Sequence, residues 1–440
     1  MKKIEDYIKG YSQSLPDKIA IICGNAQITY RQLWNKILER SHTFRSYSND
    51  IVVMRASQSI DFLIDYFAIH WIEKVIVPLE KDIPEDSFTN IEKALNGYHT
   101  PENVADILYT TGTTGKQKGT MISHQAIIAN AENLIYAQLF NNDTCFIISG
   151  PLNHIGSLSK IWPTIIVGGT IIITEGMKNM DAFFKALDYP SFKIATFLVP
   201  SSIRMLLQFG EKQLESYAHK IDFIETGAAP MAEDDMKKLS KLLPYTRLYN
   251  TYASTETGII CTHNYNSDYC VAGCLGKPMR HSKLFISEEG IIYCSGKTLM
   301  TGYANEEELT NMVLRNGFVY TNDKGFIDSE GRLQLTGRND DIINVGGFKV
   351  NPSEVENVAL SFPDISDCIC IADKHPVLGT TLRLLVVMHE CKTLDKRKLA
   401  HTLLEKLEKH KVPQLYKQVE SIKRTYNGKL DRKFYRENWE

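Results

Sequence analysis

The sequence predicts an α/β chain: a large amino-terminal domain of α/β subdomains, a β-rich subdomain within it, and a small α+β domain at the carboxy end. Three observations carry this. Short β-branched runs alternate with helical spacing between residues 51 and 243, the pattern of a mainly parallel sheet covered by helices. From Gly276 to Thr336 the texture changes to short strands broken by Glu289-Gly290, Asn316-Gly317, Lys324-Gly325 and Glu330-Gly331, which predicts antiparallel pairing. Residues 392–440 then hold 14 Lys+Arg against 7 Asp+Glu, a local charge of +7 in a chain of net −2.

The expected strands are Ile51–Met54, Val75–Leu79, Asp106–Thr110, Cys145–Ser149, Ile165–Thr174, Ile194–Val199 and Ile221–Thr226. Helical spacing falls on Ser59–Glu73, Ser123–Leu139, Ser201–Phe209 and Glu233–Leu243. The last opens on Glu233, Asp234 and Asp235 and carries lysines later, as the helix dipole favours. In the basic tail, Leu399, Leu403, Leu404 and Leu407 form an apolar helix stripe. The basic residues there are either a solvated face or a surface for phosphates or an acidic partner.

A length of 440 residues suits two or three domains at roughly 100–200 residues each. Hydrophobic residues at 43% and charged residues at 23% exclude a largely disordered chain. Near-neutral charge gives no field that would recruit nucleic acid. The longest apolar run, around Ile165–Ile173, is far short of the roughly 20 residues of a membrane span. Glu5 and Asp6 follow the first lysines at once, unlike a signal peptide. The expectation is a soluble, cytoplasmic protein. Nine cysteines without a CxxC pair do not form a disulfide framework. Cys261, His263, Cys270 and Cys274 are close in sequence but match no common zinc spacing, so they read as core thiols.

The chemistry is concentrated in Tyr109-Thr-Thr-Gly-Thr-Thr-Gly-Lys-Gln-Lys-Gly119, between a strand and a helix that Ser123 can cap. Glycines let backbone N–H groups approach an anion, threonine hydroxyls add donors, and Lys116 and Lys118 add charge. This is a loop built to hold phosphate. It is neither the P-loop G-x-x-x-x-G-K-[ST] nor a G-x-G-x-x-G turn. G-x-S-x-G and H-E-x-x-H are absent as well.

The segment resembles the signature [YF]-[TS]-[ST]-G-[TS]-T-G-x-P-K-G of the adenylate-forming (AMP-binding) enzyme superfamily, with Gln117 at the proline. Further segments resemble the family's other motifs in order. Pro151–Gly156 is similar to P-L-x-H-x-x-G, Thr226–Pro230 to the adenine-lining stretch, and Asn250–Glu256 to N-x-Y-G-x-T-E with Ala253 at the glycine. Tyr320–Asp323 is similar to Y-x-T-G-D with Asn322 at the glycine, and Leu335–Asp341 to the G-R-x-D-D linker. Asn344–Glu356 and Asn427–Arg432 complete the set. The likeness is greatest to acyl- and aryl-CoA synthetases.

The resemblance implies two half-reactions. A carboxylic acid attacks the α-phosphate of ATP, giving acyl-adenylate and pyrophosphate. A thiol, from CoA or the phosphopantetheine of a carrier protein acting in trans, then displaces AMP. It implies that Thr110, Thr111, Gly112, Thr113, Thr114, Gly115 and Lys118 hold the phosphates. Gly227, Ala228, Ala229, Asn250 and Tyr252 would meet the adenine, with Asp323 and Arg338 on the ribose. Glu256 corresponds to the Mg2+ ligand and Thr255 to an α-phosphate donor. Lys429 would bridge phosphate and carboxylate during adenylation, and His154 would stand near the acyl carbon.

It further implies a mobile lid, residues 340–440, hinged at Asp340 (near 338–341) on a domain of residues 1–339. Gly346, Gly347 and Lys349 would line the thiol tunnel. Relatives that activate amino acids carry an aspartate in the segment where this chain has Asn153, His154 and Ser157, so the expected acid lacks an α-amino group. The region before Tyr109 is compressed relative to the family. Alternatives from the same resemblance are an amine or hydroxyl acceptor, or a nucleotide-binding relative without catalysis.

Overall fold

The computed structural model describes residues 2–111, 117–177, 179–267, 269–339, 341–345, 348–375, 379–425 and 430–438. Among these, the chain builds three principal sheets. The largest runs from antiparallel strands Ser282–Ile286, Ile291–Gly296, Phe318–Ile327 and Leu333–Arg338 into a parallel core. That core contains Arg247–Ser254, Ile221–Thr226, Ile194–Phe197, Cys145–Ile148 and Thr170–Ile173, each parallel to its neighbour. A second sheet orders Gly302–Tyr303, Gln117–Ser123, Val104–Thr111, Val75–Leu79 and Ile51–Arg55. The third, Ile365–His375, Gly379–Met388 and Leu415–Gln418, belongs to a smaller carboxy-terminal domain with its own core of Val350, Val355, Leu384, Leu399 and Leu403. The α/β architecture with a β-rich region and a small second domain is as the sequence predicts.

Local chemistry explains the helix boundaries. Ser59 and Ser123 cap Ile60–Trp71 and His124–Gln138 by accepting from Phe62 N–H and Ala126 N–H, each at 3.1 Å. Asp395 accepts from Arg397 and Lys398 at 3.0 Å each, starting Lys396–Lys406. One sequence expectation fails. Ile165–Thr174 is not a single strand: Ile165 and Ile166 end the helix Ile155–Ile166, Gly168 turns at φ +74°, and only Thr170–Ile173 is extended. A helix buried on all sides is as apolar as a central strand, so hydrophobicity alone does not separate them.

Between the two large sheets pack the helices Tyr30–Arg45, Ile60–Trp71, His124–Gln138 and Ile155–Ile166, burying Leu33, Phe67, Leu134 and Trp162 completely. A polar chain crosses this core. His70 sits between Asp106 Oδ1 at 2.9 Å and Glu5 Oε1 at 3.3 Å. Tyr66 donates to Asp106 Oδ2 at 3.0 Å, and Trp162 Nε1 donates to Tyr66 at 3.1 Å. Burial alone would lower the His70 pKa, but the two carboxylates more than reverse this and push it up to about 9. Asp106 lies on the strand that leads into the Thr/Gly loop, so this network pins the base of that loop to three helices.

Candidate active site

The phosphate-loop segment is carried by an antiparallel pair, Val104–Thr111 with Gln117–Ser123, in which Thr110 faces Lys118. Gly112, Thr113, Thr114 and Gly115 lie outside the described residues, as does the Thr111 side chain. Strand Gly302–Tyr303 pairs with the outgoing strand, setting Tyr303 opposite Thr120. The tyrosine ring lies 5.5 Å from Lys118 Nζ, measured to its centroid, and its hydroxyl donates to Glu256 Oε1 at 2.9 Å. Burial and the adjoining Glu256 charge both raise the Tyr303 pKa, so it remains a donor. Lys118 and Glu256 thus meet on opposite parts of one aromatic side chain.

Glu256 and Thr255 occupy the tight turn between strands Arg247–Ser254 and Gly258–Asn264. Ser254 and Thr257 lock the turn reciprocally: each backbone N–H donates to the other's hydroxyl, at 3.2 and 3.0 Å. Gly258 closes it at φ +68°, where a Cβ would strike Asn130 and the Thr298 carbonyl. Met300 N–H holds the Glu256 carbonyl at 2.9 Å. The second carboxylate oxygen of Glu256 accepts no hydrogen bond among the described residues. A half-buried carboxylate with one tethered and one open oxygen suits a hard divalent cation that takes its remaining ligands from phosphate and water.

Just before the turn on the same strand, Tyr252 packs with Ile260, Cys261 and Leu275 and donates its hydroxyl to Asp323 Oδ2 at 2.8 Å. Asp323 faces Arg338 across a strand pair, with Arg338 Nε 3.9 Å from Asp323 Oδ1. The Tyr252 ring, expected against the adenine, is 5% exposed, and its hydroxyl ties it to the proposed ribose carboxylate. Asn250 is buried and donates to the Cys274 carbonyl at 3.2 Å. Gly227 passes so close to strand Arg247–Ser254 that a Cβ would lie 2.9 Å from the Thr251 carbonyl. Ala228 then takes φ +67°, the left-handed conformation, turning the chain into Ala229 and Pro230.

His154 stands at the N-cap of Ile155–Ile166. Gln58, which sequence reasoning missed, secures that segment: it donates to the Gly150 carbonyl at 2.9 Å and accepts from Leu152 N–H at 3.1 Å. Tyr303 was missed too, because nothing in its local sequence marks it; only strand pairing brings it to Glu256. Lys349 is exposed on the hairpin Ile343–Val345 with Phe348–Val350. Asp340, Gly346, Gly347 and Lys429 fall outside the described residues. Cys261, His263, Cys270 and Cys274 do not assemble into a ligand set among the described residues, and all nine cysteines are free thiols. Among the described residues, no helix is long and apolar enough to cross a membrane.

Comparison with known proteins follows the same lines. A family model described as AMP-binding enzyme matches residues 92–304, and one described as AMP-binding enzyme C-terminal domain matches residues 354–429. A 2-succinylbenzoate–CoA ligase of Bacillus cereus is 28% identical over 376 residues, covering 81% of this chain and 76% of its own. ATP-bound MatB of Rhodopseudomonas palustris superposes with a TM-score of 0.87 at 22% identity, over all of both chains. The amide bond synthetase McbA of Marinactinospora thermotolerans gives 0.88 at 18% identity, over 99% of this chain and all of its own. Motif order, site geometry and these matches agree: the chain belongs to the adenylate-forming, AMP-binding enzyme superfamily and is similar to its CoA ligases.

Proposed function

We propose that the protein joins a carboxylic acid lacking an α-amino group to the thiol of CoA, through an acyl-adenylate, with ATP converted to AMP and pyrophosphate. A carboxylate oxygen bonds to the α-phosphorus as the bond to the β-phosphate breaks. The thiol, losing its proton, then attacks the acyl carbon and AMP leaves. Both partners of the first step are anions, so the site must concentrate positive charge and oriented donors.

The observation that carries this reading is the bridge Lys118–Tyr303–Glu256, which holds a cationic and an anionic group on one rigid frame. In this reading Lys118 and Thr110 orient the outer phosphates, and Thr255 donates to the α-phosphate. Glu256 would hold Mg2+, which when bound neutralises phosphate charge. Asp323 accepts from the ribose hydroxyls, and Arg338 supports it. Gly227, Ala228 and Ala229 present backbone to the adenine, with Asn250 beneath. His154 borders the acyl carbon.

Lys429 completes adenylation, and Asp340 is the hinge by which residues 340–440 exchange it for the segment that carries Gly346, Gly347 and Lys349. The +7 tail then faces the phosphates of CoA or of a carrier-bound phosphopantetheine. Incubation with Mg-ATP, CoA and a panel of carboxylic acids tests the proposal by mass spectrometry. Acyl-AMP followed by acyl-CoA and AMP is expected; ADP, or adenylate that no thiol consumes, refutes it.

A further inference from the structure

One charged pair lies in the core beside this site with no part in the chemistry above. Lys160, on the helix that begins after His154, donates to Glu225 Oε1 at 2.7 Å, and both side chains are at most 1% exposed. Burial lowers the Lys160 pKa and Glu225 opposes the shift. A buried ion pair is weak as a stability device, since two charges are taken out of water to make it. This pair is also incompletely satisfied. Glu225 Oε2 is buried without a hydrogen-bond partner among the described residues. Lys160 Nζ has three donors and makes one hydrogen bond among them.

Its location links it to the acid. Glu225 immediately precedes Thr226 and Gly227, and it lies beside Phe197 on the neighbouring parallel strand. Lys160 Nζ is 5.2 Å from the centroid of the Phe197 ring. The same ring, half-buried, would touch a Cβ on Gly156 at 3.4 Å and one on Gly227 at 3.6 Å. The two glycine segments expected to border the acyl carbon and the adenine therefore converge on Phe197, and the ion pair adjoins the same residue. Lys160 is six residues past His154, about 9 Å along the helix axis.

We propose that Lys160 and Glu225 read a hydroxyl group at the far end of the acid, making the substrate a hydroxylated, aryl-type carboxylic acid. This rests on the adenylating function argued above. The chemistry selects among distal groups. A hydroxyl donates to Glu225 Oε2 while accepting from Lys160, meeting the spare valence of each. A methylene or plain ring edge leaves both unmet, and a site built to hydrogen-bond a hydroxyl discriminates strongly against analogues that lack it. A second carboxylate meets Lys160 but has to face the Glu225 charge. The pair thus points away from dicarboxylic acids.

Pyrophosphate exchange with matched acids tests this: benzoate and cinnamate, their 4-hydroxy forms, and their 4-carboxy forms. The wild-type protein is expected to favour a 4-hydroxy acid over its plain parent by at least about tenfold in kcat/KM, with the 4-carboxy acid poorest. In the double variant Lys160→Met, Glu225→Leu, this ratio should fall to within about twofold, because both charges leave together. Glu225→Gln, which keeps the volume, should lower it severalfold. Exchange that shows no hydroxyl preference, or a ratio unmoved in the variants, overturns the inference alone. Exchange with no acid at all, despite ATP binding, overturns the adenylating function along with it.

Discussion

The Tyr303 hydroxyl donates to Glu256 at 2.9 Å from a two-residue strand that pairs with the strand leaving the phosphate loop. The carboxylate proposed to hold Mg2+ is therefore aimed by the same sheet that carries Lys118. Removing the hydroxyl keeps the ring beside Lys118 but frees the carboxylate to rotate. Tyr303→Phe should lower kcat/KM about tenfold, the worth of a hydrogen bond to a charged group, and shift the Mg2+ titration of pyrophosphate exchange to higher concentration. A titration curve identical to wild type would refute the aiming role.

Asp323 is engaged from two sides, by Tyr252 at 2.8 Å and Arg338 at 3.9 Å. If it receives the ribose hydroxyls, Asp323→Ala should raise the KM for ATP about tenfold or more, leaving the KM for the acid nearly unchanged. Tyr252→Phe, which removes only the orienting hydroxyl, should produce a smaller shift in the same constant. Equal effects on both substrates would place Asp323 elsewhere in the mechanism.

His70 gives the protein a pH-dependent stability. Its pKa in the fold, pushed up to about 9, exceeds the ordinary 6.5, so the folded state binds the proton more tightly than the unfolded state. The resulting stabilisation is complete below about pH 6.5 and is lost as pH rises through 9; it is on the order of 3 kcal/mol. Thermal unfolding between pH 6 and 10 should show Tm falling across that window. His70→Gln should start lower and lose most of the slope. A wild-type Tm that is flat from pH 6.5 to 9.5 would contradict the charged state of His70.

The two domains touch through Arg204. It binds Asp235 through Nε and Nη2 at 2.9 and 2.8 Å and reaches Asp367 of the carboxy-terminal sheet at 3.8 Å. Asp367 is held in turn by both oxygens on Arg424, at 2.8 and 2.7 Å. Asp367→Ala should weaken this docking by about 1 kcal/mol, the scale of a partly exposed pair. Limited proteolysis between residues 338 and 345 should then run several times faster. An unchanged cleavage rate would show that Arg204 does not hold the domains together.

How much of this was legible beforehand follows from what each feature depends on. The strands Val75–Leu79 and Ile221–Thr226 and the helices capped by Ser59 and Ser123 are set by local composition and capping, and the structure has them where sequence places them. Ile165–Thr174 was misread because a helix end and a strand, both fully buried, look alike in hydrophobicity. The site motifs could be read as segments. Their mutual contacts could not, since Tyr303 reaches Glu256 across 47 positions and Lys160 reaches Glu225 across 65. A lone lysine inside the apolar helix Ile155–Ile166 was the one local sign of that buried pair.

The most direct test follows an oxygen atom. With an acid labelled with 18O in its carboxylate, attack on the α-phosphorus leaves one labelled oxygen in the AMP released once the thiol has taken the acyl group. Mass spectrometry of that AMP should show one 18O per molecule formed. Unlabelled AMP, or label appearing in phosphate beside ADP, would contradict the account at its centre.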